Sequence, residues 1–244
     1  MWRELRRLLP HESLLYLGDG KNCPYGGRLR SEIEGFAIEA VERLVAEGVK
    51  MVVVGCNTAT TAAVETLRRR WPDMPIVGLE PAVKPACLTT QSRKIAVLAT
   101  AHSLSSDMFL DTAARYASDV EVVKVVGEGF VELVENDMEQ SVEAERLVRK
   151  AVEPLLDKGV DKLVLGCTHY PFLRSIIERV VADSGIEVID SGAAVARRVE
   201  WLLDRYDIAA DESNVPTMRY ITFADEEYCK RLEHKAQIII NEEK

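Results

Sequence analysis

Met51-Val-Val-Val-Gly-Cys56-Asn57-Thr58 and Lys162-Leu-Val-Leu-Gly-Cys167-Thr168-His169 follow one plan: an apolar run, a glycine, a cysteine, then small hydrogen-bonding residues. A short, fully apolar run bounded by glycine reads as a buried strand of a parallel sheet, and Met51–Val54 has the pattern of a central strand. In open parallel sheets ligands sit just beyond the carboxyl ends of the strands. Each cysteine therefore stands where catalytic groups stand, and each precedes residues that lead into a helix start, whose free N–H groups suit a carboxylate or a thiolate. The repetition predicts two similar parallel-sheet α/β lobes related by pseudo-twofold symmetry, with an active site in the cleft between them.

The pattern extends in both directions. Leu14–Leu17, Ile76–Leu79, Ile95–Leu98, Val120–Val126, Leu163–Leu165, Glu187–Ile189 and Met218–Phe223 read as further strands. Helical stripes are expected at Ser31–Ala46, at about Thr60–Arg70, at Val142–Leu156, at Phe172–Val181 and again after Ala193. Strands alternating with helices are the mark of a parallel α/β fold. The chain reads as crossing between lobes at Val77–Pro81 and Ile189–Gly192. This places residues 1–79 with 191–244 in the first lobe and 80–190 in the second.

Composition narrows the function classes. The 244 residues, 47% of them hydrophobic, suffice for a substantial core. The net charge of −9, without a concentrated basic face, argues against nucleic acid as partner. Apolar runs are too short to span a membrane. Met1–Pro10 is charged and amphipathic and does not read as a signal peptide, so a cytoplasmic protein is expected. Five cysteines, odd in number and widely spaced, make poor material for a disulfide framework and are expected as free thiols.

Two opposed thiols suit one chemistry well. Racemising an amino acid without a cofactor requires removing the Cα proton from one face and returning a proton to the other, which calls for two bases. A thiol, with a reference pKa of about 8.5, can reach both its forms near neutral pH. Other readings of the same residues remain open at this level. Cys56, Cys167 and His169 could converge on zinc, although CxxC and HxxxH spacings are missing. Cys167 and His169 could form a nucleophile–base pair, the two thiols could form a redox pair, and any cysteine can be a small buried hydrophobe.

Five segments carry a resemblance that decides among these: Leu17-Gly-Asp-Gly-Lys-Asn-Cys-Pro-Tyr-Gly26, Gly55-Cys-Asn-Thr-Ala59, Gly78-Leu-Glu-Pro81, Phe130-Val-Glu-Leu-Val-Glu135 and Leu165-Gly-Cys-Thr-His-Tyr-Pro171. In order and spacing the sequence resembles the glutamate racemases of the aspartate/glutamate racemase family. The resemblance implies a cofactor-independent isomerase that interconverts L- and D-glutamate and supplies D-glutamate for peptidoglycan, with no metal, as a homodimer. A racemase for a related acid such as aspartate is the alternative within the fold. It also implies that Cys56 and Cys167 are the paired acid and base, Cys167 acting on the L- and Cys56 on the D-enantiomer. Asp19, Glu135 and His169 would assist them, and Tyr25, Gly26, Asn57, Thr58, Thr168 and His169 would bind substrate. Six of these also have a plain structural reading: Asp19 as a cap, Glu135 as an exposed helical carboxylate, His169 as a helix-start residue, Tyr25 as loop packing, Asn57 and Thr58 as helix caps. Cys23, Cys87 and Cys229 read as structural.

One departure stands out. Family members open with a strand ending in Asp-Ser-Gly-x-Gly-Gly, whereas Trp2-Arg-Glu-Leu-Arg-Arg-Leu8 here matches the helix that follows it. The expectation is that Cys56 lacks a supporting Asp, through a shortened sequence or a catalytically impaired, racemase-like binding protein.

Overall fold

Strands and helices alternate through the computed structural model, which describes residues 1–79 and 81–241. Glu80, in the quoted Gly78–Pro81 segment and in the first expected crossing, lies outside the described residues. In chain order the elements are α1 (Trp2–Leu8), β1 (Leu14–Gly18), α2 (Arg30–Ala46), β2 (Val52–Val54), α3 (Asn57–Arg70), β3 (Ile76–Gly78) and α4 (Val83–Thr89). There follow β4 (Lys94–Ala99), α5 (Ala101–Leu104), α6 (Asp107–Tyr116), β5 (Glu121–Val126), α7 (Phe130–Glu135), α8 (Val142–Val152) and β6 (Lys162–Leu165). The chain continues with α9 (Arg174–Val181), β7 (Glu187–Asp190), α10 (Gly192–Arg205), β8 (Met218–Thr222) and α11 (Glu226–Asn241). All sheet pairings among the described residues are parallel, the α/β class expected.

Two helix boundaries depart from expectation for identifiable reasons. The stripe expected over Val142–Leu156 is α-helical only to Val152 and tightens into a 3₁₀ turn over Glu153–Lys158, where Pro154 cannot donate to the ladder. The stripe expected from Phe172 is a 3₁₀ turn over Tyr170–Leu173, with Pro171 in its first turn, before α9 begins at Arg174.

Two compact units make up the chain. The first comprises Met1–Gly55, Ala62–Gly78 and Gly192–Lys244; the second comprises Cys56–Thr61 and Leu79–Ser191. In the first, β1 pairs with β8 and β2 pairs with β3, giving two separate two-stranded sheets. The Met51–Val54 run reads as a central strand, but β2 has β3 as its one partner among the described residues, and Val53 and Val54 are partly exposed. An apolar run reports burial and is silent on how many neighbours a strand has. Glu12, a buried carboxylate, ties this unit together by pairing with Lys50 at 2.8 Å and accepting the Ala210 N–H at 2.6 Å.

The second unit holds a four-stranded sheet in the order β5-β4-β6-β7. Its central β4 is fully buried from Ile95 to Ala99, as a strand covered on both faces should be. Leu98 of β4 lies beside Leu165 of β6, so these two strands finish at one level. Leu98, Leu163 and Leu165 pack with Phe130, Tyr170, Leu173, Ile176 and Ile177 in one continuous core. Each such side chain stabilises the fold by about 1.5–3 kcal/mol through burial. The rigid floor this creates lies directly beneath Gly166 and Cys167.

Candidate active site

Cys56 follows β2 and Gly55 in the chain, yet it belongs to the second unit. It occupies the cap position of α3: its carbonyl accepts the Thr60 N–H at 2.8 Å, and its Sγ accepts the Ala59 N–H at 3.5 Å. Helix α3 therefore begins at Asn57, three residues before the sequence-predicted start at about Thr60, and Asn57 and Thr58 lie in its first turn. A thiol at this position faces the positive end of the helix, which favours its anion. Burial nevertheless pushes the Cys56 thiol above the ordinary range. The Ala59 N–H works against that rise, a negative charge on Cys167 adds to it, and His169 and the Thr58 N–H oppose it.

Cys167 follows β6 and Gly166. Its setting differs from the helix start that the repeated plan predicts, because the next element is the 3₁₀ turn, with the Tyr170 N–H donating to the Cys167 carbonyl at 3.2 Å. Its support comes from side chains instead. Cys167 Sγ lies 3.8 Å from Nδ1 of His169, whose Nε2 lies 2.6 Å from Oε1 of Glu135 at the end of α7. The Glu135 carboxylate accepts at Nε2 and so orients the ring with Nδ1 toward the Cys167 sulfur. Both His169 and Glu135 are half-buried, which keeps this pairing from being fully screened. Tyr170 is buried and donates to the Gly127 carbonyl at 3.2 Å. Burial, then the charge of Cys167, push its phenol well above the usual range, so it stays a neutral strut.

The two cysteine turns are joined. Asn57, 4% exposed, donates through Nδ2 to the carbonyl of Gly166 at 2.8 Å. Gly166 has no room for a side chain: an added Cβ would lie 2.8 Å from that of Ala99 and 3.3 Å from the Leu98 carbonyl oxygen. Its N–H donates to that same carbonyl at 2.8 Å. Thr58 reaches the other strand end, with Oγ1 3.5 Å from Oγ of Ser103, which in turn accepts the Thr100 hydroxyl at 2.9 Å. Thr60 accepts the Leu79 N–H at 2.9 Å. Ser103 and Thr100 were not among the candidates read from the sequence. The available signal was their place just past β4, at the same carboxyl edge of the sheet as Cys167.

The remaining candidates divide. Cys56, Asn57, Thr58, Glu135, Cys167, Thr168 and His169 all lie in the second unit, with Thr168 half-buried between Cys167 and His169. Asp19, Tyr25 and Gly26 lie in the first. There Asp19 accepts the Tyr25 hydroxyl at 2.5 Å and the Asn22 N–H at 3.2 Å, a local tie of the loop after β1, while Gly26 is exposed. Cys87 is buried, and Cys23 and Cys229 are half-buried free thiols; Cys229 donates to the Tyr220 carbonyl at 3.3 Å.

What this arrangement can do is proton transfer. A charge on Cys167 adds to the rise at Cys56, so the charged form of Cys56 is disfavoured beside a charged neighbour.

The family described as Asp/Glu/Hydantoin racemase matches residues 1–199. The chain is 45% identical over 223 residues to a glutamate racemase of Ectopseudomonas mendocina, covering 91% of this chain and 84% of that one. It is 43% identical to a glutamate racemase of Herpetosiphon aurantiacus, covering 91% and 87%. Among solved structures, it resembles Escherichia coli glutamate racemase in complex with L-glutamate and the activator UDP-MurNAc-Ala, with TM-score 0.86, 29% identity and coverage of 98% and 89%. Glutamate racemase isoform RacE1 from Bacillus anthracis is similar at TM-score 0.83 and 30% identity, covering 95% and 86%.

Proposed function

The chain belongs to the Asp/Glu/Hydantoin racemase family, and on that premise we propose that it interconverts L- and D-glutamate by a two-thiol mechanism. The observation that supports the mechanism is geometric: Cys56 and Cys167 stand on two turns joined by the Asn57–Gly166 hydrogen bond within one unit. In the L-to-D direction the Cys167 thiolate takes the Cα proton and the Cys56 thiol supplies a proton to the opposite face. The D-to-L direction reverses both roles, and each turnover leaves the pair in the protonation state that suits the other enantiomer. His169, held by Glu135, faces the Cys167 sulfur through Nδ1 and orients it as the proton arrives or leaves. Thr58, Thr168, Tyr25 and Gly26 are assigned to the substrate's carboxylates and ammonium, and Asp19 to polar support of the chemistry.

The product suits peptidoglycan synthesis, and the enzyme is proposed to work in the cytoplasm as a homodimer. None of the described helices is long and apolar enough to cross a membrane. Cys56→Ala and Cys167→Ala should each lower racemisation of glutamate, followed by circular dichroism, by at least about 100-fold, the lower end of what a positioned acid or base contributes. Substantial activity in either folded variant would refute the two-base mechanism.

A further inference from the structure

We propose that Asn57 is a positioning residue which locks the turn carrying Cys56 onto the turn carrying Cys167, so that the geometry of the thiol pair is set within the second unit. Three observations support it. The Cys56–Thr61 segment follows a strand of the first unit in sequence but packs as part of the second. Two of its anchors are adjacent residues that reach the ends of neighbouring strands: Asn57 to Gly166 after β6, and Thr58 to Ser103 after β4. The approach at the receiving end is close, since Gly166 packs against Ala99 and Leu98 with no space for a Cβ.

The bond also fixes which way the amide faces. A carbonyl oxygen can only accept, so the NH₂ group must point at Gly166. Oδ1 is then turned away, buried and without a hydrogen-bond partner among the described residues. An unpaired buried acceptor is costly, and the Gly166 bond is one contribution that offsets it. Asn57 thus differs from a helix cap, which would serve only its own turn. Its role in catalysis rests on the racemase reading above; its role in joining the two turns does not.

The test is made on the free enzyme, without substrate. Alkylation by iodoacetamide is followed at each cysteine by mass spectrometry in the native chain and in Asn57→Ala. Cys56 and Cys167 should both react roughly three- to tenfold faster in the variant, the fold-change that corresponds to losing one hydrogen bond of ordinary net strength. Cys229, which lies in the first unit, should be unchanged. Acceleration at Cys56 alone, or at neither cysteine, would overturn the proposal, because Asn57 would then act on its own turn or on none. If Cys87 and Cys229 accelerate as well, the variant has opened globally, and Asn57→Ser is judged by the same criterion. An enzyme inactive on glutamate that still shows the paired acceleration would sink the racemase reading and leave the clamp standing.

Discussion

The surroundings of Cys56, proposed above as both acid and base, push its thiol in both directions at once. Burial and the charge of Cys167 favour the thiol; the Ala59 N–H, His169 and the Thr58 N–H favour the thiolate. Since burial is the largest influence and raises the pKa, Cys56 rests as a thiol at neutral pH and becomes a thiolate only as pH rises. Its alkylation should therefore show a midpoint above the ordinary thiol value of about 8.5. Cys167→Ser removes the neighbouring charge, so the midpoint should fall in that variant. A midpoint that does not move would mean the two thiols do not sense one another. At this scale the sequence was most legible where chemistry and backbone coincide: a cysteine after a glycine at a strand end marks itself. Ser103 does not, because a buried serine that supports Thr58 looks like any other serine near a helix start, and only the register of β4 beside β6 brings it into the network.

Elements were legible where periodicity is long and misread where one residue overrides it. The α2 stripe expected over Ser31–Ala46 is found over Arg30–Ala46, whereas Pro154 and Pro171 turn predicted α-helix into 3₁₀. Short helices such as α5 and α7 offer too few turns for a stripe to register. The tight turn after Cys167 has a consequence for stability. It places Tyr170 directly over Gly127, where an added Cβ would lie 2.5 Å from the phenolic oxygen and 2.7 Å from Cζ. Gly127→Ala must displace a fully buried ring and its hydrogen bond, and should cost about 1–3 kcal/mol in urea unfolding. Gly35→Ala, on an exposed face of α2 with open space around it, should instead stabilise by about 0.5–1 kcal/mol. Equal effects of the two substitutions would contradict this description of the packing.

For the molecule as a whole, the parallel α/β class was readable from alternation alone, because strand and helix periods differ so sharply. Strand partnering was not, since a fully apolar run such as Val52–Val54 is compatible with one neighbour or two. The two units differ accordingly. The second has a four-stranded sheet with a dry central strand, while the first has two two-stranded sheets, each marginal without helices to cover it. Native-state hydrogen exchange should find the amides of β4 and β6 the slowest and those of β1 and β2 measurably faster; uniform protection would argue against that ranking. Both thiols lie in the second unit, the one expected to be more rigid, as suits a pair that must be held in register. The most direct measurement is racemisation of L-glutamate in D₂O, read by NMR at early conversion. Two thiols that exchange their protons with solvent should place deuterium at Cα of the D-glutamate formed while the recovered L-glutamate stays protiated. Deuterium appearing equally fast in both enantiomers, or in neither, would contradict the two-base account.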